Sequence, residues 1–433
     1  MLGCADPRRR DAEVTVGGLR FALITTFYPP HSFGGDGSGV LRLSRALVRR
    51  GHHVTVIYDV DAYGALGGPS PTADVGTHDG VEVYALRSTL GAVSSLLTQQ
   101  TGRPVVHGRR LRHLLDEGGF DVINFHNVSL IGGPGVLALG EAVKIYTAHE
   151  HWLVCPSHVL WRHGRELCTG RECLRCVLHH HRPPQLWRYT GFLERQLRHV
   201  DAFIAMSEFS RSKHREFGFP HEMEVVPDFL PQLGGGSADV GPPPHHRPYF
   251  LFVGRLERIK GLDDVIPVFR RYPDADLLIA GAGRHEAALA RLAAGLPQVK
   301  FLGRVGWDRL ARYYAHAIAT IVPSICFETF GMVIIESFQQ GTPVLARRIG
   351  PFPEIVQRAR GGELFLTADD LVAAMRRLQA EPDRRAQLGR AGREAVDAYW
   401  SESVVVPRYL EVVKRAADAK GASRVVERLQ AVT

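Results

Sequence analysis

Nowhere does this sequence hold the roughly 18 consecutive apolar residues that a membrane-spanning helix needs, so no transmembrane segment is expected. The Leu2-Gly3-Cys4 triplet has no apolar stretch before it, which excludes a cleaved lipoprotein leader. Residues 1–18 are instead expected to form a disordered tail. Lysine is scarce: Lys144, Lys213, Lys260, Lys300, Lys414 and Lys420 are all there are, and none sits in an evident pyridoxal-binding motif. Basic strands interleaved with aromatics are missing, as is zinc-finger spacing, so nucleic acid is not an expected partner. Short-period repeats are absent, which excludes a solenoid. The six cysteines are few and unevenly placed, and nothing suggests export. They are expected to be reduced thiols or ligands rather than a disulfide framework, in a cytoplasmic protein.

What is present fits an ordinary globular chain of two domains. Hydrophobic residues make up 45% of the 433 and charged residues 23%, enough to build a full core in each half. The formal net charge is +8, unevenly spread. Residues 1–150 are neutral, whereas residues 151–200 carry eight arginines against three glutamates, and seven histidines besides. The plain reading is a solvated basic loop. The sharper one is a surface for an acidic partner, either a phosphorylated lipid acceptor or an anionic membrane face.

Periodicity supplies the architecture. Arg20–Thr26 is short, apolar and β-branched, as buried parallel strands are. A loop with Pro29-Pro30 and Gly34-Gly35 follows, then a helix over Gly37–Arg50, closed by Gly51, and a strand over His53–Tyr58. Strands are expected again at Val81–Leu86, Asp121–Phe125, Lys144–Thr147, Asp201–Met206 and Glu224–Val226. Glycines 234–236 and prolines 242–244 then mark a linker over 233–247 between lobes at 19–232 and 248–400. In the second lobe strands are expected at Tyr249–Val253, Asp276–Ala280, Val299–Leu302, Ala319–Val322 and Pro343–Ala346. Helices are expected at Leu262–Arg271, His285–Ala294, Trp307–His316 and Phe330–Gln340. Residues 401–433 should be helical and pack back towards the first lobe. The fold class is α/β, with two doubly wound lobes.

Several residue patterns carry chemistry. Glu328 should sit in the loop after a strand and Glu336 about two turns into the next helix. Backbone N–H groups at Phe330 and Gly331 start that helix, where an anion is favoured. Spacing alone leaves helix capping and solvation as sufficient reasons for both glutamates. Arg255 and Lys260, however, fall at the same sheet edge. There a helix dipole disfavours cations by about 0.3–1 kcal/mol, which points to a diphosphate as their reason. Gly34 and Gly35 let a backbone approach a phosphate or sugar closely, though a turn explains them equally well. His126 and His149 end strands of the first lobe and are candidates for holding or sharing a hydroxyl proton. Cys155, Cys168, Cys173 and Cys176, followed by His179-His180-His181, have the number of thiols a structural zinc needs. Only one true CxxC pair is among them, and free thiols or redox pairing remain the competing readings. Asp59-Val60-Asp61 is read as a chance DxD triplet.

The segments FYPPHSFGG, RRGHHVTVI, TAHEHWLVCP, VGRLERIKG and FETFGMVIIESFQQGTPV together resemble glycosyltransferase family 4. The resemblance implies a GT-B fold, two Rossmann-like lobes facing a central cleft. It also implies retaining transfer from a nucleoside-diphosphate sugar, UDP-sugar being favoured, with no required cofactor. By that likeness Arg255 and Lys260 hold the donor diphosphate, and Glu328 with Thr329, Phe330 and Gly331 holds its sugar and phosphate. Glu336 would take the ribose hydroxyls, and Gly34 and Gly35 would approach the donor from the other lobe. His149 would lie near the reacting centre, with His126 beside the acceptor. A glycan or lipid-linked glycan in cell-surface polysaccharide synthesis is the expected acceptor, with peripheral membrane contact through residues 151–200. A natural-product glycosyltransferase, a sugar-nucleotide epimerase and a non-catalytic binding protein are the alternatives. The sequence departs from the family at Asp36, after the glycine pair, and at Val226-Pro227-Asp228.

Overall fold

Runs of β-branched and aromatic residues flanked by helices become fifteen short strands among the described residues of the computed structural model. It describes residues 18–68, 79–180, 182–232 and 241–432. The expected tail up to residue 17, residues 233–240 of the linker and His181 lie outside the described residues. The first sheet contains β1 (Arg20–Thr25), β2 (His53–Asp59), β3 (Glu82–Leu86), β4 (Val122–Phe125) and β5 (Val143–Ala148). A small antiparallel hairpin, β6 (Trp161–Arg162) and β7 (Glu166–Leu167), intervenes before β8 (Ala202–Ala205) and β9 (Glu224–Val225) complete that sheet. The second sheet holds β10 (Tyr249–Val253), β11 (Asp276–Ala280), β12 (Val299–Gly303), β13 (Thr320–Val322), β14 (Val344–Arg347) and β15 (Gly362–Phe365).

Both sheets are wholly parallel, in the orders β3-β2-β1-β4-β5-β8-β9 and β12-β11-β10-β13-β14-β15. Helices cover both faces, which is why the central strands are buried along their whole length. In each sheet the winding reverses once, between β1 and β4 and between β10 and β13. The loops after these strands splay apart there and open a crevice at the carboxyl edge.

The lobes are joined twice. Residues around Leu230 lead from the first lobe to the second, and residues around Ser401 lead back. The two crossings bond to each other, through Leu230 N to Trp400 O at 2.9 Å and Glu402 N to Leu230 O at 3.1 Å. Helix Glu402–Lys420 then lies on the first sheet, burying Val405, Val406, Tyr409, Val412 and Val413. Each such side chain contributes about 1.5–3 kcal/mol when fully buried, so this helix is part of the core. Ion pairs fix its ends: Glu402 with Arg49 and with Arg50 (2.8 Å), and Lys420 with Asp201 (2.8 Å). Among the described residues no helix is long and apolar enough to cross a membrane.

Two second-lobe expectations need correction. The helix expected over Leu262–Arg271 is α-helical only over Leu262–Val265 and continues as a 3-10 helix over Ile266–Arg271. Pro267, which lacks an N–H, sits at the change. The helix expected from Phe330 starts at Met332, because Phe330 is buried in the core and Gly331 forms the cap.

Candidate active site

The β10 and β13 loops build the second lobe's side of the cleft. After β10 the chain passes through Arg255 into a 3-10 turn, Arg258–Lys260, closed by Gly261 at φ +76°. A Cβ at Gly261 would lie 2.1 Å from the carbonyl oxygen of Pro323, so only glycine lets the two loops meet. Ile325 N donates to Ile259 O at 2.9 Å across this joint. Lys260 Nζ is thereby brought to 2.5 Å from Glu328 Oε1, which also accepts from Ser324 Oγ at 2.8 Å. Burial pushes the Glu328 carboxyl up, but the charge and hydrogen bond of Lys260, with Ser324 and Arg255, hold it below its ordinary value. Burial draws Lys260 down, and Glu328 more than reverses that. Arg255 is more exposed and rests on Glu257 at 2.9 Å. Its Nε lies 3.7 Å from where a Cβ on Gly34 would be, so this cation faces the glycine loop of the other lobe. A Cβ on Gly35 would meet nothing within 4 Å, which leaves open space beside the same loop.

Helix Met332–Gln339 starts beside this cluster. The Thr329 hydroxyl donates to His149 O at 2.7 Å, and the Thr329 carbonyl accepts from Ser207 Oγ at 2.6 Å, so the β13 loop is held against the first lobe. Glu354 adds a second clasp, accepting from the backbone N–H groups of Glu208 and Phe209 at 3.2 and 3.1 Å. Glu336 has different company from Glu328. It accepts from Tyr314 OH at 3.0 Å. Burial raises its carboxyl above the ordinary range, opposed by Arg42 and the Tyr314 hydroxyl and reinforced by Asp228.

On the first lobe the two histidines meet. His126 Nδ1 and His149 Nε2 are 2.9 Å apart, with the rings stacked at 5.1 Å between centroids. Burial and the neighbouring His149 push His126 well below its ordinary value, so it stays neutral, and one proton lies between the two rings. Both line a mainly apolar pocket with Gly39, Thr147, Asp228 and Tyr409. Sequence reasoning missed Gly39 and Arg42, and met Asp228 only as a departure. Arg42 pairs with Asp228 at 3.5 Å. A Cβ on Gly39 would come within 3.0 Å of Asp228 Oδ1 and 3.3 Å of His149 Cε1. A glycine inside a helix costs about 1 kcal/mol relative to alanine, and that cost was the available signal of a close approach.

A family model described as "Glycosyltransferase Family 4" matches residues 33–232, and one described as "Glycosyl transferases group 1" matches residues 238–395. Between them they take in Gly34, His126, His149, Arg255, Lys260, Glu328 and Glu336. The chain belongs to glycosyltransferase family 4. A sulfoquinovosyl transferase of Arabidopsis thaliana is 33% identical over 158 residues, 35% of this chain and 31% of that protein. A GDP-mannose-dependent mannosyltransferase of Corynebacterium glutamicum is 36% identical over 37% of this chain and 45% of its own length. The chain thus spans less than half of each of these two. A glycogen synthase of Mycobacterium tuberculosis is 28% identical over 91% of this chain and 94% of that protein. Among solved structures, a sucrose-phosphate synthase from Thermosynechococcus elongatus superposes with a TM-score of 0.71 at 21% identity. The match covers 93% of this chain and all of that one. The fold is GT-B.

Two polar clusters of this family-4 chain stand apart from the cleft residues. Asp59, Asp61 and His107 place three ligand atoms within 4.8 Å of one another, so the DxD triplet is gathered by the fold. Much of it is already committed to protein partners. Asp59 Oδ1 accepts from Ala62 N, and Asp61 accepts from Ser88 N and Ser88 Oγ and pairs with His107 Nε2 at 3.1 Å. Burial pushes the Asp59 carboxyl up to about 7. The second cluster is the four cysteines. Cys155, Cys168, Cys173 and Cys176 line a single pocket beside the β6–β7 hairpin, and all four are free thiols.

Proposed function

We propose that this family-4 glycosyltransferase moves a sugar, with retention, from a nucleoside-diphosphate sugar to a hydroxyl of a glycan or lipid-linked glycan in cell-surface polysaccharide synthesis. The carrying observation is the contact of Lys260 with Glu328 at the second sheet's switch point, with Arg255 alongside. Positive charge there suits a departing diphosphate, and the carboxylate beside it suits sugar hydroxyls, each of which can donate to it. Backbone N–H groups at Phe330 and Gly331 add the helix dipole. Glu336 takes the ribose hydroxyls once Tyr314 shares it. The acceptor hydroxyl attacks from the face the diphosphate leaves, and a phosphate oxygen takes its proton. His149 and His126 hold the acceptor side. Arg255 and Lys260 supply the charge that the diphosphate requires, so no further cofactor enters this scheme. A UDP-sugar is the favoured donor. In support, a structure of the same fold from Anabaena is described in complex with UDP and glucose, with a TM-score of 0.61 at 15% identity.

The donor is tested by thermal unfolding against UDP-, ADP- and GDP-sugars. A true donor at about 100 times its dissociation constant adds about 2.7 kcal/mol of stability, and it alone should also release nucleoside diphosphate on incubation. Stabilisation without release would instead favour a binding protein, and isomerised sugar an epimerase.

A lipid-linked acceptor draws support from the first lobe's surface. Leu90, Val93 and Leu96 are about half exposed, and Leu174, Leu178, Leu186 and Tyr189 are likewise exposed. The two groups are tied together by Trp187 Nε1 donating to Gln99 O at 2.9 Å. Exposed Arg171, Arg175 and Arg182 lie in the same stretch. Apolar side chains among cations match an anionic bilayer surface. Flotation should recover the protein with phosphatidylglycerol vesicles and not with phosphatidylcholine vesicles. Equal recovery, or none, would count against the membrane contact.

A further inference from the structure

We propose that Cys155, Cys168, Cys173 and Cys176 bind one zinc ion as a tetrathiolate, and that the ion braces the connection between β5 and β8 against the β13 loop. The first ground is convergence. Cys173 and Cys176 lie one turn apart on a short helix, Cys173–His179, and Cys155 and Cys168 come from the loop and hairpin before it, yet all four line one pocket. Chance placement of four thiols does not bring this about, and four thiolates are what a closed structural zinc site takes.

The second ground is how little else holds the segment. Trp152 and Leu153 root its start in the first lobe's core, but beyond them the small cluster it rests on holds only Cys155, Leu160 and, from the helix Glu208–Glu216, Phe217 as buried residues. Three non-glycine residues in it have positive φ: His158 (76°), Leu160 (48°) and His163 (51°). Such conformations persist only where the surroundings over-determine them. A hairpin of two-residue strands and so small a core cannot do that unaided, and no disulfide is made. Small units short of core are commonly completed by a metal.

The third ground is charge. Zinc with four thiolates carries two negative charges, which need cations nearby. Arg188 reaches the cluster electrostatically through Cys155 and Cys173. Its guanidinium is half-buried, stacks on Trp152 and Trp187, and bonds to Gln185 and to Trp152 O. Among the described residues no carboxylate pairs with it. Arg162 lines the pocket as well, shared with Glu166 and Glu172. His163 N already donates to Cys176 Sγ at 3.3 Å, the kind of N–H to sulfur bond that supports a thiolate ligand. The sulfurs have yet to close up, since among the described residues only the Asp59 group places three ligand atoms within 4.8 Å. Binding therefore requires side-chain rotation that draws the thiols together, and it releases their protons.

The ion has a structural task. Phe327, which directly precedes Glu328, packs on the same small cluster as Cys155 and Leu160. Lys213 caps the Phe327 ring at 4.6 Å. A pinned cysteine segment thus gives the donor loop a fixed wall.

The test is metal content by mass spectrometry on full-length protein purified without a metal-affinity tag. About one zinc per chain is expected, and exchange for cobalt should give a thiolate-to-cobalt charge-transfer band. Cys173→Ser and Cys176→Ser should lose most of the zinc, while Cys326→Ser, outside the cluster, keeps it. Should the cluster variants fail to fold, thiol titration of the unaltered protein decides: four thiols should become reactive only after a chelator removes the ion. Metal-free protein with freely reactive thiols, a disulfide under non-reducing conditions, or iron in place of zinc would each overturn the proposal.

Discussion

Lys260 and Glu328 bring opposite charges into a half-buried space, and each sets the protonation of the other. The Glu328 carboxyl lies below 4.5 in the folded chain. Its contribution to stability is therefore in place above pH 4.5 and is lost as the pH falls through the folded value. Lys260 lies above 10.5, so its contribution is in place below that pH and is lost as the pH rises through the folded value. Glu328→Gln should flatten the acid side of a melting-temperature profile, and turnover should fall by about 10²–10³-fold, as when one preorganised electrostatic partner is removed. An unchanged acid profile would show that the pair does not form. Both residues were legible because each follows a strand in its motif, and loops after parallel strands converge. Gly39, Arg42 and Asp228 were not. They come from a helix and from the crossing between lobes, and their proximity depends on how the lobes meet, which no local pattern encodes. The His126–His149 bond was hidden for a similar reason: each histidine was readable at its own strand end, but not the pairing.

The loops after β10 and β13 act as one element because Gly261 lets them touch. Gly261→Ala puts a side chain against Pro323 O at a positive φ, so stability should fall by about 1–3 kcal/mol and donor affinity with it. Chemical denaturation with a parallel nucleotide titration checks this; wild-type values in both would refute the joint. Central strands were readable because buried parallel strands are nearly continuous apolar runs, as in Tyr249–Val253 and Asp276–Ala280. β15 escaped notice because Gly362–Phe365 is an edge strand with only its last residue fully buried. Helix Pro382–Ala395 escaped for another reason. It packs through Gly389 and Gly392, where a Cβ would lie 2.0 Å from Gly341 O and 2.5 Å from the Phe338 ring, so it needs no apolar stripe. Helices Phe352–Ala359 and Ala368–Ala380 follow the last expected strand and were not anticipated.

Across the whole molecule, two sheets with the same winding present their switch points to one cleft, and the bonds of Thr329 to His149 and Ser207 span it. The hydrogen-bonded crossings at Leu230 and Ser401, anchored by Glu402 on Arg49 and Arg50, form the joint between the lobes. Two domains were legible from the restart of the strand–helix alternation; the closed contacts between them were not, since they join residues far apart in the chain. The account rests on cations of the second lobe gripping a diphosphate. Calorimetric titration of UDP into the unaltered protein, Lys260→Ala and Arg255→Ala tests it most directly. Removing either cation should weaken binding by about 1.5–3 kcal/mol, roughly ten- to a hundredfold, with the melting temperature little changed for Arg255→Ala and lowered for Lys260→Ala, which leaves Glu328 without its partner. UDP affinity equal in all three proteins would contradict it.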